Sequence, residues 1–322
     1  MAFECRVRGE LVGERQTRCD IDIVDAAGRT HYALKGWEDR RFELPASFVQ
    51  LRVTPADVHL STDWEGPLAG VPSAGHAVCR RLDCLDEAVL EDHGGIWSKV
   101  LAHLVLGRRE REVWRGLTAA AKRRREWLLG RAVAKDAVRE LVHRRFGLRL
   151  APADVEIAAD EHGRPLVRGK WTGTLGVTPA VSLSHSHGVA VALAALDRES
   201  LVGIDIESVS RRLPGFESLA FTPREQRIVE ALAEDERLEW YLRFWCAKEA
   251  AGKAVGRGLA DGLHAFEVKE AELEGGAVRL GPGPALGAAE GRAGTEILTY
   301  TAREGDFVSS AVVQRRATEG GP

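Results

Sequence analysis

No stretch of this 322-residue chain approaches the roughly 18 to 20 consecutive apolar residues that a bilayer span requires, and residues 1–10 lack the basic-then-apolar pattern of a secretory leader. A cytoplasmic protein is expected. Cysteine is sparse: five residues, Cys5, Cys19, Cys79, Cys84 and Cys246, are odd in number and scattered, with no C-x-x-C pair and no histidine at zinc spacing. Reduced thiols without a structural zinc are expected. Charge of one sign is lacking too, because 45 basic against 48 acidic residues leave a net charge of −3. That balance excludes bulk nucleic-acid coating and a general attraction to anionic membrane. A clean short-period repeat is also missing.

What is present is an ordinary globular composition, 44% hydrophobic and 29% charged, with length for one to two domains and a sizeable core. Three strand-like runs, 4–13, 17–25 and 31–44, are separated by turn chemistry such as Ala26-Ala27-Gly28-Arg29 and predict a small antiparallel meander over 1–65. Proline and small residues from Gly66-Pro67 to Ala74-Gly75 read as a linker, 66–75. A second domain, 76–316, is expected to hold two halves, about 76–200 and 201–316, with a tail at 317–322.

Within it a strand is expected at 76–82 and a helix over 109–146, on which Trp114, Leu117, Ala121, Leu128 and Leu141 recur at helical spacing before Gly147. Strands are expected at 180–184, 189–196 and 201–207, the last two joined as a hairpin through residues 197–200. Thr222-Pro223-Arg224-Glu225 carries a helix start, with threonine as cap, proline at the first position and glutamate completing a capping box. The helix with Trp240, Phe244, Ala247 and Ala251 on one stripe runs to about Val255. Glycine-rich 275–294 reads as a mobile loop before closing strands at 296–302 and 307–313.

Four groups of residues carry candidate chemistry. Asp205 and Glu207 alternate onto one face of a strand, where two like charges repel unless a cation or proton lies between them. With Glu249 they form the oxygen-only set that suits magnesium binding a phosphorylated substrate; a polar strand end beside an unrelated glutamate is the alternative. The run Ser182-Leu183-Ser184-His185-Ser186-His187-Gly188 ends one strand and precedes another, and offers a hydroxyl, an imidazole and backbone donors to a phosphate, or is a hydrogen-bonded surface turn. Lys122 to Arg125, with Arg131 and Lys135, make a helix strongly basic, as a solvated face also would. Arg164 adds a loop cation, and Lys248 and Lys253 flank Glu249.

Taken in order, Gly163-Arg164-Pro165, Ser184-His185-Ser186, Gly203-Ile204-Asp205-Ile206-Glu207 and Phe244-Trp245-Cys246-Ala247-Lys248-Glu249-Ala250-Ala251-Gly252-Lys253 resemble the signatures of Sfp-type 4′-phosphopantetheinyl transferases. The separation of 43 residues between Asp205 and Lys248 is in keeping with that family, and the resemblance covers about 76–313. It implies an α+β fold of two similar α/β halves in a pseudo-twofold arrangement, preceded here by the β meander. It also implies transfer of the phosphopantetheine arm of coenzyme A to a serine of an acyl carrier protein domain, releasing 3′,5′-ADP.

By position the resemblance makes Asp205, Glu207 and Glu249 the magnesium ligands. Lys253 becomes the lysine near the pyrophosphate and Lys248 the one beside the metal ligand. Ser184, His185 and Arg164 become grips for the coenzyme's phosphates, and Arg124, Arg125 and Arg131 match less well. Glu225 falls where the Sfp subgroup has a glutamate proposed as general base; a capping-box role fits it equally, and a metal-bound water is the other acceptor. Gly36-Trp37-Glu38-Asp39-Arg40-Arg41-Phe42 and the strands before it resemble the tail of a hot-dog dehydratase domain in iterative, enediyne-type polyketide synthases. The H-x-x-x-G-x-x-x-x-P motif is missing, so no dehydratase activity is expected. Coenzyme A, a carrier domain and neighbouring synthase domains are the expected partners, with the chain as a C-terminal piece of such a synthase. The rival readings are a non-catalytic docking module of transferase-like fold and a magnesium-dependent phosphohydrolase.

Overall fold

The computed structural model describes residues 2–14, 16–40, 46–72, 74–83, 87–196, 200–210, 215–256, 258, 262–284 and 296–315, in two compact units that divide between Val49 and Gln50. The first unit is the expected meander: β1 (Phe3–Leu11), β2 (Gln16–Asp25) and β3 (Thr30–Arg40) pair antiparallel in that order. Gly28, at φ +79°, makes the β2–β3 turn, and the Asp25 carboxylate accepts from the Ala27 and Arg29 N–H groups. Helix α1 (Ala46–Val53) runs across the division.

The division falls earlier than the composition suggested, and residues 66–75 are not a free linker. Strand β4 (Thr62–Asp63) pairs with β5 (Ala77–Leu82), Gly66–Leu68 form a short 3-10 turn, and Trp64 is buried in the second unit's core. Pairing and an indole in the core outweigh the local glycine and proline content.

The second unit continues with α2 (Glu87–Val105), α3 (Arg108–Gly116), α4 (Ala121–Phe146), β6 (Glu156–Ala159), β7 (Pro165–Arg168), α5 (Lys170–Leu175), β8 (Ala180–Ser186) and β9 (Val189–Ala195). Then follow β10 (Ser200–Ser208), α6 (Phe216–Ala220), α7 (Pro223–Glu230), α8 (Glu234–Ala254), β11 (Phe266–Ala271), β12 (Ala277–Pro282), β13 (Ile297–Glu304) and β14 (Phe307–Arg315). Mixed helices and antiparallel sheets are the fold class expected. The two halves repeat one plan: β5 pairs with β9 and β9 with β8, as β10 pairs with β14 and β14 with β13. Each half lays one long helix, α4 or α8, across its sheet.

Three local expectations are corrected. The helix over 109–146 is two helices: α3 ends at Gly116, Leu117 is extended, and α4 restarts at Ala121, while Gly147 at φ +65° closes α4 as expected. The hairpin through 197–200 does not form, because β10 pairs with β14 and β9 lies between β5 and β8; residues 197–199 lie outside the described residues. Within 275–294, residues 277–282 are strand β12, since Val278 and Leu280 alternate into the core; 285–294 and the tail 317–322 lie outside the described residues. Among the described residues no helix is long and apolar enough to cross a membrane, and Cys5, Cys19, Cys79 and Cys246 are free thiols.

Strand β10 is buried on both faces. Val202, Ile204 and Ile206 enter the core shared with Val189, Val191 and Leu193 of β9, and the alternate residues Gly203, Asp205 and Glu207 face α8. The helix comes so close that a Cβ on Gly203 would lie 1.9 Å from the carbonyl oxygen of Ala250. Neither backbone yields to that overlap without moving the helix. Gly203→Ala is therefore expected to destabilise the chain by about 3 kcal/mol or more, the upper part of the overpacking range. A thermal unfolding midpoint within a degree of the parent would show that α8 is free to shift.

Candidate active site

The site begins with three serines on one face of β8. Ser182 Oγ accepts from the Ile204 N–H at 3.1 Å, Ser184 Oγ donates to Asp205 Oδ1 at 2.7 Å, and Ser186 Oγ donates to Glu207 Oε2 at 3.0 Å. Strands β8 and β10 belong to different sheets, so no backbone ladder joins them and these hydroxyls do. Ser184 thus orients the Asp205 carboxylate from a buried position. Ser182 and Ser186 belong to the run singled out from sequence, but their bonds to β10 were not expected, although the alternation Ser-Leu-Ser-His-Ser puts the three serines on one face.

Helix α8 supplies the other wall. Lys253 Nζ donates to Asp205 Oδ1 at 2.7 Å and to the Ile204 carbonyl at 3.1 Å. Cys246, Glu249 and Lys253 are spaced to share one stripe of the helix. The Cys246 thiol is pushed up by burial first and then by the charge of Asp205, with Glu249 acting the same way and Lys253 opposing. Of the expected site residues, Asp205 and Lys253 meet directly, and Glu207 is held two residues along the same strand by Ser186.

At the mouth, His187 and Gly188 turn β8 into β9 with φ of +45° and +82°, the paired positive angles of a two-residue hairpin. His185 lies on the opposite face of β8 from the serines and is exposed at one edge. Crowding by protein nonetheless holds its pKa below the ordinary histidine value; Glu126 and Asp205 pull it up, and Lys253 and Arg123 push it down. Arg164 rests beside Gly256, just past the end of α8, where a Cβ would meet its Cδ at 3.2 Å.

The remaining expected site residues have contacts of their own. Lys248 and Glu225 form a buried pair, Nζ to Oε2 3.1 Å, with side chains 2% and 0% exposed. Glu225 also completes the expected capping box, taking the Thr222 N–H at 2.7 Å. The Arg124 guanidinium stacks over Trp114 and that of Arg131 over Trp127, while Arg125 is buried. Burial lowers the pKa of Arg131, opposed by the charge of Glu110.

No three His, Cys, Asp or Glu side chains form a ready metal cage among the described residues. One atom nevertheless fits a cation. Asp205 Oδ2 is buried without a hydrogen-bond partner while Oδ1 is held by Ser184 and Lys253. A buried carboxylate oxygen left unpaired is costly. Magnesium retains waters and takes one or two protein carboxylates plus substrate phosphates, so Asp205 with Glu207 and Glu249 suits it better than a closed cage would. Millimolar magnesium is expected to raise the thermal unfolding midpoint of the parent chain by a few degrees and not that of Asp205→Ala. An equal rise in both would put the cation elsewhere.

The 4′-phosphopantetheinyl transferase superfamily matches residues 201–300, the span from β10 into β13 that holds Asp205, Glu207, Glu249 and Lys253. A 4′-phosphopantetheinyl transferase of Nostoc sp. is 32% identical over 118 residues, covering 35% of this chain and 46% of that one. The 4′-phosphopantetheinyl transferase of Bacillus subtilis is 28% identical over 123 residues, covering 37% and 50%. The chain spans about half the length of these two relatives. A holo-[acyl-carrier-protein] synthase of Halalkalibacterium halodurans is 31% identical over 114 residues, 35% of this chain and 87% of its own. With nearly the whole of that synthase matched at 31% identity, the chain belongs to the 4′-phosphopantetheinyl transferase superfamily.

Proposed function

We propose that this chain transfers the 4′-phosphopantetheine arm of coenzyme A to a serine hydroxyl of an acyl carrier protein domain. The observation that carries the reading is Asp205, fixed through one oxygen by Ser184 and Lys253 with its other oxygen buried and unpartnered. In the reaction the serine oxygen bonds to the β-phosphorus of coenzyme A, the bond from that phosphorus to the departing 3′,5′-ADP oxygen breaks with its electron pair going to that oxygen, and the serine proton passes to solvent water. Asp205, Glu207 and Glu249 would hold magnesium, which when bound neutralises charge on the diphosphate.

The chain's own residues do the rest. Ser184 and Ser186 hold the two strand carboxylates in place. Lys253, 26% exposed at its side chain, keeps an ammonium beside Asp205 where charge builds on the phosphate oxygens. His185 and Arg164 grip the coenzyme's 3′-phosphate and its neighbours. The finer reading assigns the carrier to an enediyne-type iterative polyketide synthase in the cytoplasm and the meander to the end of a dehydratase domain. Its support is the apolar row Phe3, Val7, Leu34 and Trp37, left exposed on the three-stranded sheet as on a piece of a larger layer.

Incubation with coenzyme A, magnesium and an apo carrier domain is expected to add one phosphopantetheine to the carrier's mass, and Asp205→Ala or excess chelator to stop it. Full transfer under chelation would end the magnesium assignment. His185→Ala is expected to weaken coenzyme A by about one to two decades and 3′-dephospho-coenzyme A much less, since a charge-assisted hydrogen bond is worth roughly 1.5 to 3 kcal/mol. Equal losses for both ligands would make the turn structural.

A further inference from the structure

The buried pair Glu225–Lys248 has a twin. In the second half, Glu225 is the third residue of α7; Oε2 accepts from the Thr222 N–H and Oε1 from the Val268 N–H of β11. Lys248 of α8 donates to both oxygens and to the carbonyl of Ala220, the last residue of α6. In the first half, Glu110 is the third residue of α3; Oε2 accepts from the Gly107 N–H and Oε1 from the Ile157 N–H of β6. Lys135 of α4 donates to Glu110 and to the carbonyl of Val105, the last residue of α2. Cap, glutamate, lysine, receiving strand and preceding helix correspond one for one.

The twin separates the two jobs open to Glu225. The first-half pair lies on elements that lack the Asp205 strand, so chemistry there cannot account for it; a shared structural task can. Both glutamates tie a short helix start to a strand and to the long helix that crosses the sheet. Glu225 is also saturated: a carboxylate has about four acceptor positions, and two N–H groups with an ammonium bridging both oxygens use them. It is 0% exposed. No lone pair and no path remain for a serine proton.

We propose that Glu225 is a positioning residue and not the proton acceptor: Glu225–Lys248 is the second copy of a helix clamp that Glu110–Lys135 forms in the first half. The clamp fixes α8 about its axis so that Lys253, five residues beyond Lys248, meets Asp205. In the first half the residue after the clamp lysine, Asp136, is instead closed off, holding the Leu60 and Ser61 N–H groups and Arg139. One scaffold is thus used twice, once for a site and once for a polar lock.

The inference rests on the transferase reading for its kinetic arm only. The test compares full-chain Glu225→Gln, Lys248→Met, their double variant and Glu110→Gln by thermal unfolding, and by kcat and KM for coenzyme A in the carrier-loading assay. Each single change strands a buried partner and is expected to lower the unfolding midpoint, while the double variant, with no charge left to strand, recovers most of the midpoint and of kcat. Glu225→Gln is expected to raise KM and to cost kcat less than about tenfold, well short of losing a general base. Glu110→Gln should lower the midpoint with KM and kcat intact. A fall in kcat of about 10² to 10⁴ at an unchanged midpoint, not recovered in the double variant, overturns the proposal and makes Glu225 the base. A double variant no more stable than the singles overturns the clamp. If the parent loads no carrier, the transferase reading fails while the unfolding comparison still decides the clamp.

Discussion

The closeness of α8 to β10 governs the rest of the second half. With no side chain at Gly203, the helix backbone at Ala250 rests directly on the strand. At that distance Lys253 reaches both Asp205 and the Ile204 carbonyl, and the buried Cys246 thiol donates to the Val308 carbonyl. Packing of this kind is unforgiving, because interiors are filled to crystal density and a methyl-sized intrusion has to be absorbed by whole elements. The site's geometry is therefore a property of the helix–strand interface more than of any one side chain.

That interface holds an electrostatic arrangement that folding alone would not favour. A carboxylate buried with one oxygen unpaired costs stability, and the chain keeps it beside a second carboxylate, two residues along the same strand. The first half shows what the same scaffold does without such a demand. There Asp136, Arg139, Arg80 and Ser61 form a closed polar cluster in which Asp136 accepts from backbone, hydroxyl and guanidinium donors. Satisfied clusters rigidify, whereas a half-satisfied one stays ready for a ligand.

Several elements were legible in advance because their signals are local. Thr222 with Glu225, Gly147 after α4 and the alternation of Asp205 and Glu207 depend on residues within one turn or one strand, and all three appear as read. The split between α3 and α4 was missed because apolar residues recur at helical spacing on both sides of it, so the periodicity runs through the break at Leu117. Strand β12 was hidden by flanking glycines that the fold requires; Gly276 has φ +72°, and a Cβ on Gly283 would sit 2.1 Å from the His264 carbonyl oxygen.

By itself, then, the sequence determined the inventory and its local placement: carboxylates on one strand face, lysines along one helix, a capped helix start, and an order of motifs that marks the family. Tertiary structure decided which of these meet. Ser184 meets Asp205, and Glu225 and Lys248 meet each other, 23 residues apart in the chain. Periodicity fixes the face a side chain takes on its own element, and only the packing of elements against one another fixes the partner that face will find.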